Sequence, residues 1–225
     1  MLISEIIKSI EEGPNDPHIF KAVFLAGGPG SGKSFVHGKM LKGSGLKSVN
    51  SDEVYEYLAD KENFDLSDPD KVASDQGQEM RNRAKSLKSS REKIYLDGRL
   101  GLVIDGTGKD VQKVSQMNVK LQALGYDTMM LFVNTSLDVA QQRNTQRKRS
   151  VPKDMVKDMW HNVQQNIMKF QQIFGAANFH IVDNSGGLED PDRKQNFDKV
   201  YKNVQNFINK EPARPLAKRW LSQNI

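Results

Sequence analysis

The chain is predicted to adopt a three-layer α/β fold: a mostly parallel five-stranded sheet between helices, with a helical insert. Three observations predict it. Short apolar runs at 20–26, 46–49, 100–105, 128–133 and 179–182 alternate with segments whose apolar residues recur at helical spacing. Strands alternating with helices imply a parallel sheet covered on both faces. No linker, internal repeat or low-complexity tract interrupts the 225 residues, so they are expected to form one domain, 1–225.

Ile3, Ile6, Ile7 and Ile10 recur at helical spacing and predict an amino-terminal helix within 1–15, stopped by Gly13-Pro14. The run 20–26 is bounded by glycines and reads as a buried strand, and 33–41 as the helix after it. A short strand at 46–49 leads to Asn50 and Glu53, spaced as a helix-start capping pair. The stretch 54–98 is mostly polar, with Leu58, Met80, Leu87, Ile94 and Leu96 far apart. It predicts two exposed helices broken near Ser67-Asp68-Pro69. After the strand at 100–105 come a helix at 109–124, the strand at 128–133 and a helix at 137–147. Pro152 suits the first position of a long helix with Met155, Met159, Val163, Ile167 and Phe170 along one side. The strand at 179–182 and a helix at 197–208 follow. The tail, 211–225, with Pro212 and Pro215, is expected to be ordered only if it docks.

Composition excludes several classes. Lys and Arg number 33 against 28 Asp and Glu, so 33 − 28 gives a formal charge of +5. An excess this mild permits an anionic ligand without demanding a nucleic acid. The absence of Cys removes thiolate nucleophiles, disulfides and Cys-ligated zinc. The first residues carry Glu5 inside their apolar stretch and no small-residue cleavage site, so no secretory signal is expected. No apolar run approaches the ~18 residues of a membrane span, and a cytoplasmic protein without a membrane partner is expected.

Gly27-Gly28-Pro29-Gly30-Ser31-Gly32-Lys33-Ser34 fills every fixed position of G-x-x-x-x-G-K-[ST], between a predicted strand and a predicted helix. Such glycines let the backbone curl so that several N–H groups face one anion, and the helix amino end adds partial positive charge. Lys33 is placed to reach the β- and γ-phosphates and the Ser34 hydroxyl to take a Mg²⁺ position, so residues 27–35, through Phe35, form the candidate ATP-binding run. A dinucleotide fingerprint is excluded, because Lys33 stands where its third glycine belongs. The expected fold is therefore of the P-loop NTPase type.

Asp105-Gly106-Thr107-Gly108 matches D-x-x-G, yet no Asn-Lys-x-Asp guanine reader follows, since Asn209-Lys210 leads to Glu211. Gly106 after Asp105 supplies no second acid to activate water. A kinase needs an acid near the acceptor hydroxyl and arginines to neutralise the moving phosphoryl group. Asp52 follows the second strand, on the rim that also carries the phosphate loop. It is suited either to act as general base or to cap the helix after it. Asp105 ends the third strand, suited to orient Mg²⁺, to hold the acceptor or to a purely structural role. Residues 140–153 hold Arg143, Arg147, Lys148, Arg149 and Lys153 and no acid. Arg143 and Arg147 share a helical face, which suggests an anion between them or a solvated basic face. No aromatic residues interleave, so base stacking is not indicated.

At these residues the chain resembles the P-loop kinases grouped as zeta toxins and polynucleotide kinases. The Gly-x-Pro-Gly-Ser-Gly-Lys-Ser loop occurs in both, and Val49-Asn50-Ser51-Asp52-Glu53 resembles the segment carrying their acceptor-activating Asp, here Asp52. Leu102 to Gly108 resembles the zeta-toxin stretch in which an acid before Gly-Thr contacts substrate, which makes Asp105 and Thr107 candidate substrate residues. Zeta toxins usually carry Glu where this chain has Asp105. Residues 143–147 with Val151-Pro152 are similar to the lid of phage-type polynucleotide kinases, whose second arginine, here Arg147, contacts the transferring phosphate. In zeta toxins an arginine just before the Pro-headed helix does so, here Arg149. Polynucleotide kinases have Arg where this chain has Ser51, and no phosphatase half is expected. The insert at 54–98 is more similar to zeta toxins, whose members phosphorylate nucleotide sugars.

The expected function is an ATP- and Mg²⁺-dependent kinase that phosphorylates a hydroxyl of a nucleotide-type small molecule. Its candidate catalytic residues are Lys33, Asp52, Arg143, Arg147 and Arg149, with Ser34 and Asp105 at the metal. The alternatives are a polynucleotide 5′-hydroxyl kinase and a non-catalytic ATP-binding interaction module.

Overall fold

Five apolar runs pair side by side in the order β2-β3-β1-β4-β5, every pair parallel. They are β1 (Lys21–Ala26), β2 (Lys47–Val49), β3 (Leu102–Asp105), β4 (Asp127–Asn134) and β5 (Phe179–Asp183). The computed structural model describes residues 16–146, 151–187 and 189–224. The amino-terminal helix expected within 1–15 lies outside them. The parallel order follows from composition: β1 and the centre of β4 are buried along their length, as central strands covered on both faces must be.

Helices α1 (Lys33–Met40), α2 (Ser51–Lys61), α3 (Pro69–Ala73), α4 (Asp75–Asp97) and α5 (Val111–Ala123) alternate with the first strands. α6 (Leu137–Thr145), α7 (Lys153–Gln164), α8 (Ile167–Phe174), α9 (Pro191–Asn209) and α10 (Pro215–Asn224) complete the chain. One face of the sheet buries Phe24, Phe132, Leu102 and Met130 against Leu121, Val163, Phe170 and Phe174. The other buries Val23, Leu25, Val103 and Leu131 against Val36, Met40, Val200 and Val204.

Several expectations are corrected. The insert holds three helices rather than two; the first begins at Ser51 with Asn50 as its cap, as the spacing predicts, its Oδ1 accepting the Asp52 N–H at 2.8 Å. It is not merely exposed, since Val54, Tyr55, Leu58, Ala59, Met80 and Ala84 make a small core of their own. The long helix after Pro152 is divided into α7 and α8 at Gln165-Asn166. Its buried stripe runs through Val156 rather than Met155, which is exposed. The last helix of the sheet layer begins at Pro191 rather than 197, with Asp190 capping its first turn through the Asp192 and Arg193 N–H groups.

The tail docks. Trp220 meets Phe20 edge to face at 5.4 Å, and Ala217 is fully buried. Buried Lys21 pairs with Asp127 at 2.9 Å, and Asp127 also accepts the Ala213 N–H at 2.9 Å. These contacts lie at the starts of β1 and β4, so the tail packs at the amino-terminal end of the strands, opposite the phosphate loop.

Candidate active site

The phosphate loop leaves the carboxyl end of β1 and enters α1 at Lys33. Gly30 and Gly32 adopt φ of 75° and 87°, and neither has room for a side chain. A Cβ on Gly30 would lie 2.2 Å from the Ala140 carbonyl oxygen, and one on Gly32 2.1 Å from Asn184 Nδ2. Glycine is therefore required twice, by backbone sign and by close packing. Lys33 Nζ donates to the Gly27 carbonyl at 2.9 Å, which holds the ammonium across the loop. Ser31 is buried, and its Oγ has no hydrogen-bond partner among the described residues. Ser34 and Phe35 are exposed.

Asp52 and Asp105 come to the same rim at the ends of β2 and β3. Asn50 links them: its Oδ1 accepts from the Asp52 N–H, and its Nδ2 donates to Asp105 Oδ2 at 2.8 Å. Asn50, not Asp52, is the cap of α2, and the Asp52 carboxylate is exposed. Asp105 is different. Burial pushes its pKa up; the positive charges of Lys33 and His37 oppose the rise, and the carboxylates of Glu53 and Asp52 add to it. Its Oδ1 is buried and has no partner among the described residues. Thr107 is half-buried, and its carbonyl accepts the Gly27 N–H at 3.3 Å, which ties the loop after β3 to the phosphate loop.

The donor set fits a divalent cation bound jointly by protein and phosphate. An exposed hydroxyl at Ser34 and an unpartnered carboxylate oxygen on Asp105 are hard oxygen ligands of the kind Mg²⁺ takes. No group of three or more His, Asp or Glu suited to a metal occurs among the described residues.

Arg143, in the last turn of α6, is the one arginine of the basic run within the described residues; Arg147 and Arg149 lie outside them. Its Nη1 is buried without a partner among the described residues and lies 3.5 Å from where a Cβ on Gly32 would sit. Burial, and then the charge of Arg193, lower its pKa. An anion at the loop would relieve both effects. Asn144 closes the base of the segment that follows, donating to the Val151 carbonyl at 2.7 Å and accepting the Val151 N–H at 3.1 Å.

Sequence reasoning missed Arg193 and Asn166. Arg193 is buried in the first turn of α9 and donates to Asn184 Oδ1 at 2.7 Å, while Asn184 Nδ2 donates to the Ser31 carbonyl at 2.7 Å. The Arg193 guanidinium also lies 5.4 Å from the centre of the Phe35 ring. The available signal was a cation just after Asp190-Pro191, at a helix start where the dipole disfavours positive charge. Buried Asn166 sits at the α7–α8 break and donates to the Gly108 and Lys109 carbonyls at 3.1 and 3.2 Å, which fixes the loop after Asp105. Its signal was an amide inside an apolar helical stripe.

A cavity of about 510 Å³ opens beside Asp105, between the sheet and α5. Phe24, Ile104, Met117 and Met130 give it apolar walls, and lysines reach it from α4 and α5. No helix among the described residues is long and apolar enough to cross a membrane.

Comparison with known proteins agrees with this architecture. The zeta toxin family model matches residues 6–205. A solved chain from the PezAT chromosomal toxin-antitoxin system of Streptococcus pneumoniae superposes with a TM-score of 0.57 at 15% identity, covering 92% of this chain and 94% of its own. A chain of the AvrRxo1-ORF1:-ORF2 complex with ATP gives 0.56 at 14% identity, over 99% and 84%. The Pnkp1/Rnl/Hen1 RNA repair complex gives 0.50 at 21% identity, over 71% of this chain and 49% of that one. Comparison with curated protein sequences finds no match. At these identities the structural likeness speaks for the fold, an all-parallel α/β sandwich of P-loop kinase type. With the family model spanning most of its length, the chain belongs to the zeta toxin family.

Proposed function

We propose that the protein is an ATP-dependent kinase that transfers the γ-phosphoryl group to a hydroxyl of a nucleotide-type small molecule bound beside Asp105. The observation that carries this reading is the cavity of about 510 Å³ that adjoins Asp105 on the rim shared with the phosphate loop. Hydrolysis needs space for one water, whereas a pocket of this size takes a second organic substrate.

In this mechanism the loop N–H groups and Lys33 hold the donor phosphates, and Ser34 and Asp105 hold Mg²⁺. The cation, when bound, neutralises phosphate charge. Asp52 accepts the proton of the acceptor hydroxyl as its oxygen attacks the γ-phosphorus in line with the departing ADP oxygen. Arg143 neutralises charge on the transferring group. Its buried, unpartnered Nη1 supports that role. Asn50 ties the Asp52 backbone to the Asp105 carboxylate, which holds the start of α2 beside β3; in this reading Asp52 serves the proton and Asp105 the metal.

Asp52→Ala is expected to lower phosphotransfer by about 10²- to 10⁴-fold with ATP affinity nearly unchanged. The assay uses γ-labelled ATP with a panel of nucleosides, nucleotides and nucleotide sugars beside a 5′-hydroxyl oligonucleotide. An Asp52→Ala variant as active as the parent removes Asp52 as the base. Label appearing on the oligonucleotide alone replaces the small-molecule acceptor by a polynucleotide end.

A further inference from the structure

The cavity's lining includes charge that phosphoryl transfer itself does not use. Lys88 of α4 and Lys120 of α5 both line it, and both bond one carboxylate, Glu92. The Lys120 contact is 3.1 Å, and Lys88 reaches the other oxygen of Glu92 from one helical turn away. Glu92 is only 8% exposed. Burial pushes its carboxyl up, but hydrogen bonds from Lys88 and Lys120 outweigh that and hold it below the ordinary value. It is therefore ionised at neutral pH, and two cations face one anion. Each ammonium has three N–H donors, of which Glu92 takes one, leaving two on each lysine among the described residues. Lys120 is 53% exposed and Lys88 25%, so both can exchange water for a ligand. Lys113 also lines the cavity, but Asp110 lies 3.6 Å from its ammonium and offsets its charge.

We propose that Lys88 and Lys120, oriented by Glu92, form an oxyanion subsite that selects acceptors bearing a phosphate or similar group on a body with an apolar face. The subsite rests on reading this cavity as the acceptor site. Met117, Ile104 and Phe24 receive the apolar face, and the free N–H groups of the two lysines receive the oxyanion. Glu92 is a positioning residue: it ties the insert helix to α5 and sets the spacing of the two ammoniums. The insert thereby takes part in choosing the substrate.

Two fluorescent probes of one ring skeleton isolate the anion: 8-anilinonaphthalene-1-sulfonate, and N-phenyl-1-naphthylamine, which lacks the sulfonate. Titrated into the full chain, the sulfonate is expected to bind about tenfold tighter, the effect of one charge-assisted hydrogen bond. Lys88→Met and Lys120→Met should each bring that ratio toward one while the neutral probe binds within twofold of the parent. Lys120→Gln, at the more exposed lysine, serves if Lys88→Met fails to fold. Val114→Trp, which fills the cavity, should weaken both probes. A ratio near one in the parent overturns the proposal. So does a ratio unmoved by the lysine variants, the result for a mere clasp between helices, which would lower only the melting temperature. Binding that survives Val114→Trp lies elsewhere and overturns it too. Neither probe requires turnover, so failure here leaves the kinase reading to the Asp52 assay.

Discussion

The phosphate loop and the cavity beside Asp105 adjoin each other but are built differently. Residues 27–34 make the donor side within one turn of chain, where Gly30 and Gly32 are required by backbone angle and by contacts of 2.2 and 2.1 Å that a side chain would make. The cavity, proposed above as the acceptor side, draws Phe24 from β1, Asp105 from β3, Met117 and Lys120 from α5 and Lys88 from α4. A triphosphate is recognised by N–H groups, which every residue but proline has, so that site is written in a short run of glycines. An acceptor is recognised by side-chain shape and charge, so its site is distributed over nearly 100 residues.

This contrast can be broken at several points. Lys33→Met should lower phosphotransfer by about 10³-fold, on the scale of losing a charge-stabilising donor, measured with saturating acceptor. Gly30→Ala should cost about 2–4 kcal/mol in urea unfolding and weaken ATP binding, because strain at positive φ adds to the collision with Ala140. If Gly30→Ala folds and binds ATP as the parent does, the donor side is not fixed by its backbone. Glu92→Ala should cost less, about 1–3 kcal/mol, since Lys120 is half exposed and its released charge can hydrate.

Because the folded-state pKa of Glu92 is depressed, its contribution is complete above about pH 5 and is lost as pH falls through the folded value. The stability gap between parent and Glu92→Ala should therefore narrow in acid. Asp105→Asn should show the smallest effect and the opposite sign. A carboxyl whose pKa is raised by burial destabilises the fold at neutral pH, so the amide should raise the melting temperature on the order of 2 °C at pH 7. The gain should vanish below about pH 4, where the parent's carboxyl is itself neutral. Phosphotransfer should fall in the same variant. A melting temperature lowered at pH 7 would show that Asp105 serves the fold.

How much of this was readable in one dimension depended on range. All five strands stand within about two residues of the predicted ends, because a buried parallel strand must be an apolar run. Asp52 and Asp105 were readable because the carboxyl ends of parallel strands share a rim. That Asp52 does not cap α2 was not, since it turned on whether Asn50 or Asp52 faced the helix amides. The α7–α8 break was missed because Val163, Ile167 and Phe170 keep helical spacing across it, while Asn166 turns aside to hold the Gly108 and Lys109 carbonyls. Arg193 stood 160 residues from Lys33 and reaches the phosphate loop through Asn184 and the Phe35 ring.

The sequence by itself determined the layer order, the strand positions and the phosphate loop, because each rests on local periodicity or on the freedom of glycine. Tertiary structure alone decided that Asn50 ties the start of α2 to the Asp105 carboxylate, that Arg143 Nη1 lies buried beside Gly32 without a partner among the described residues, and that one buried glutamate draws lysines from two helices to a cavity. Those features depend on burial and on charges brought together from distant positions. Neither quantity exists for a residue until its neighbours in space are known.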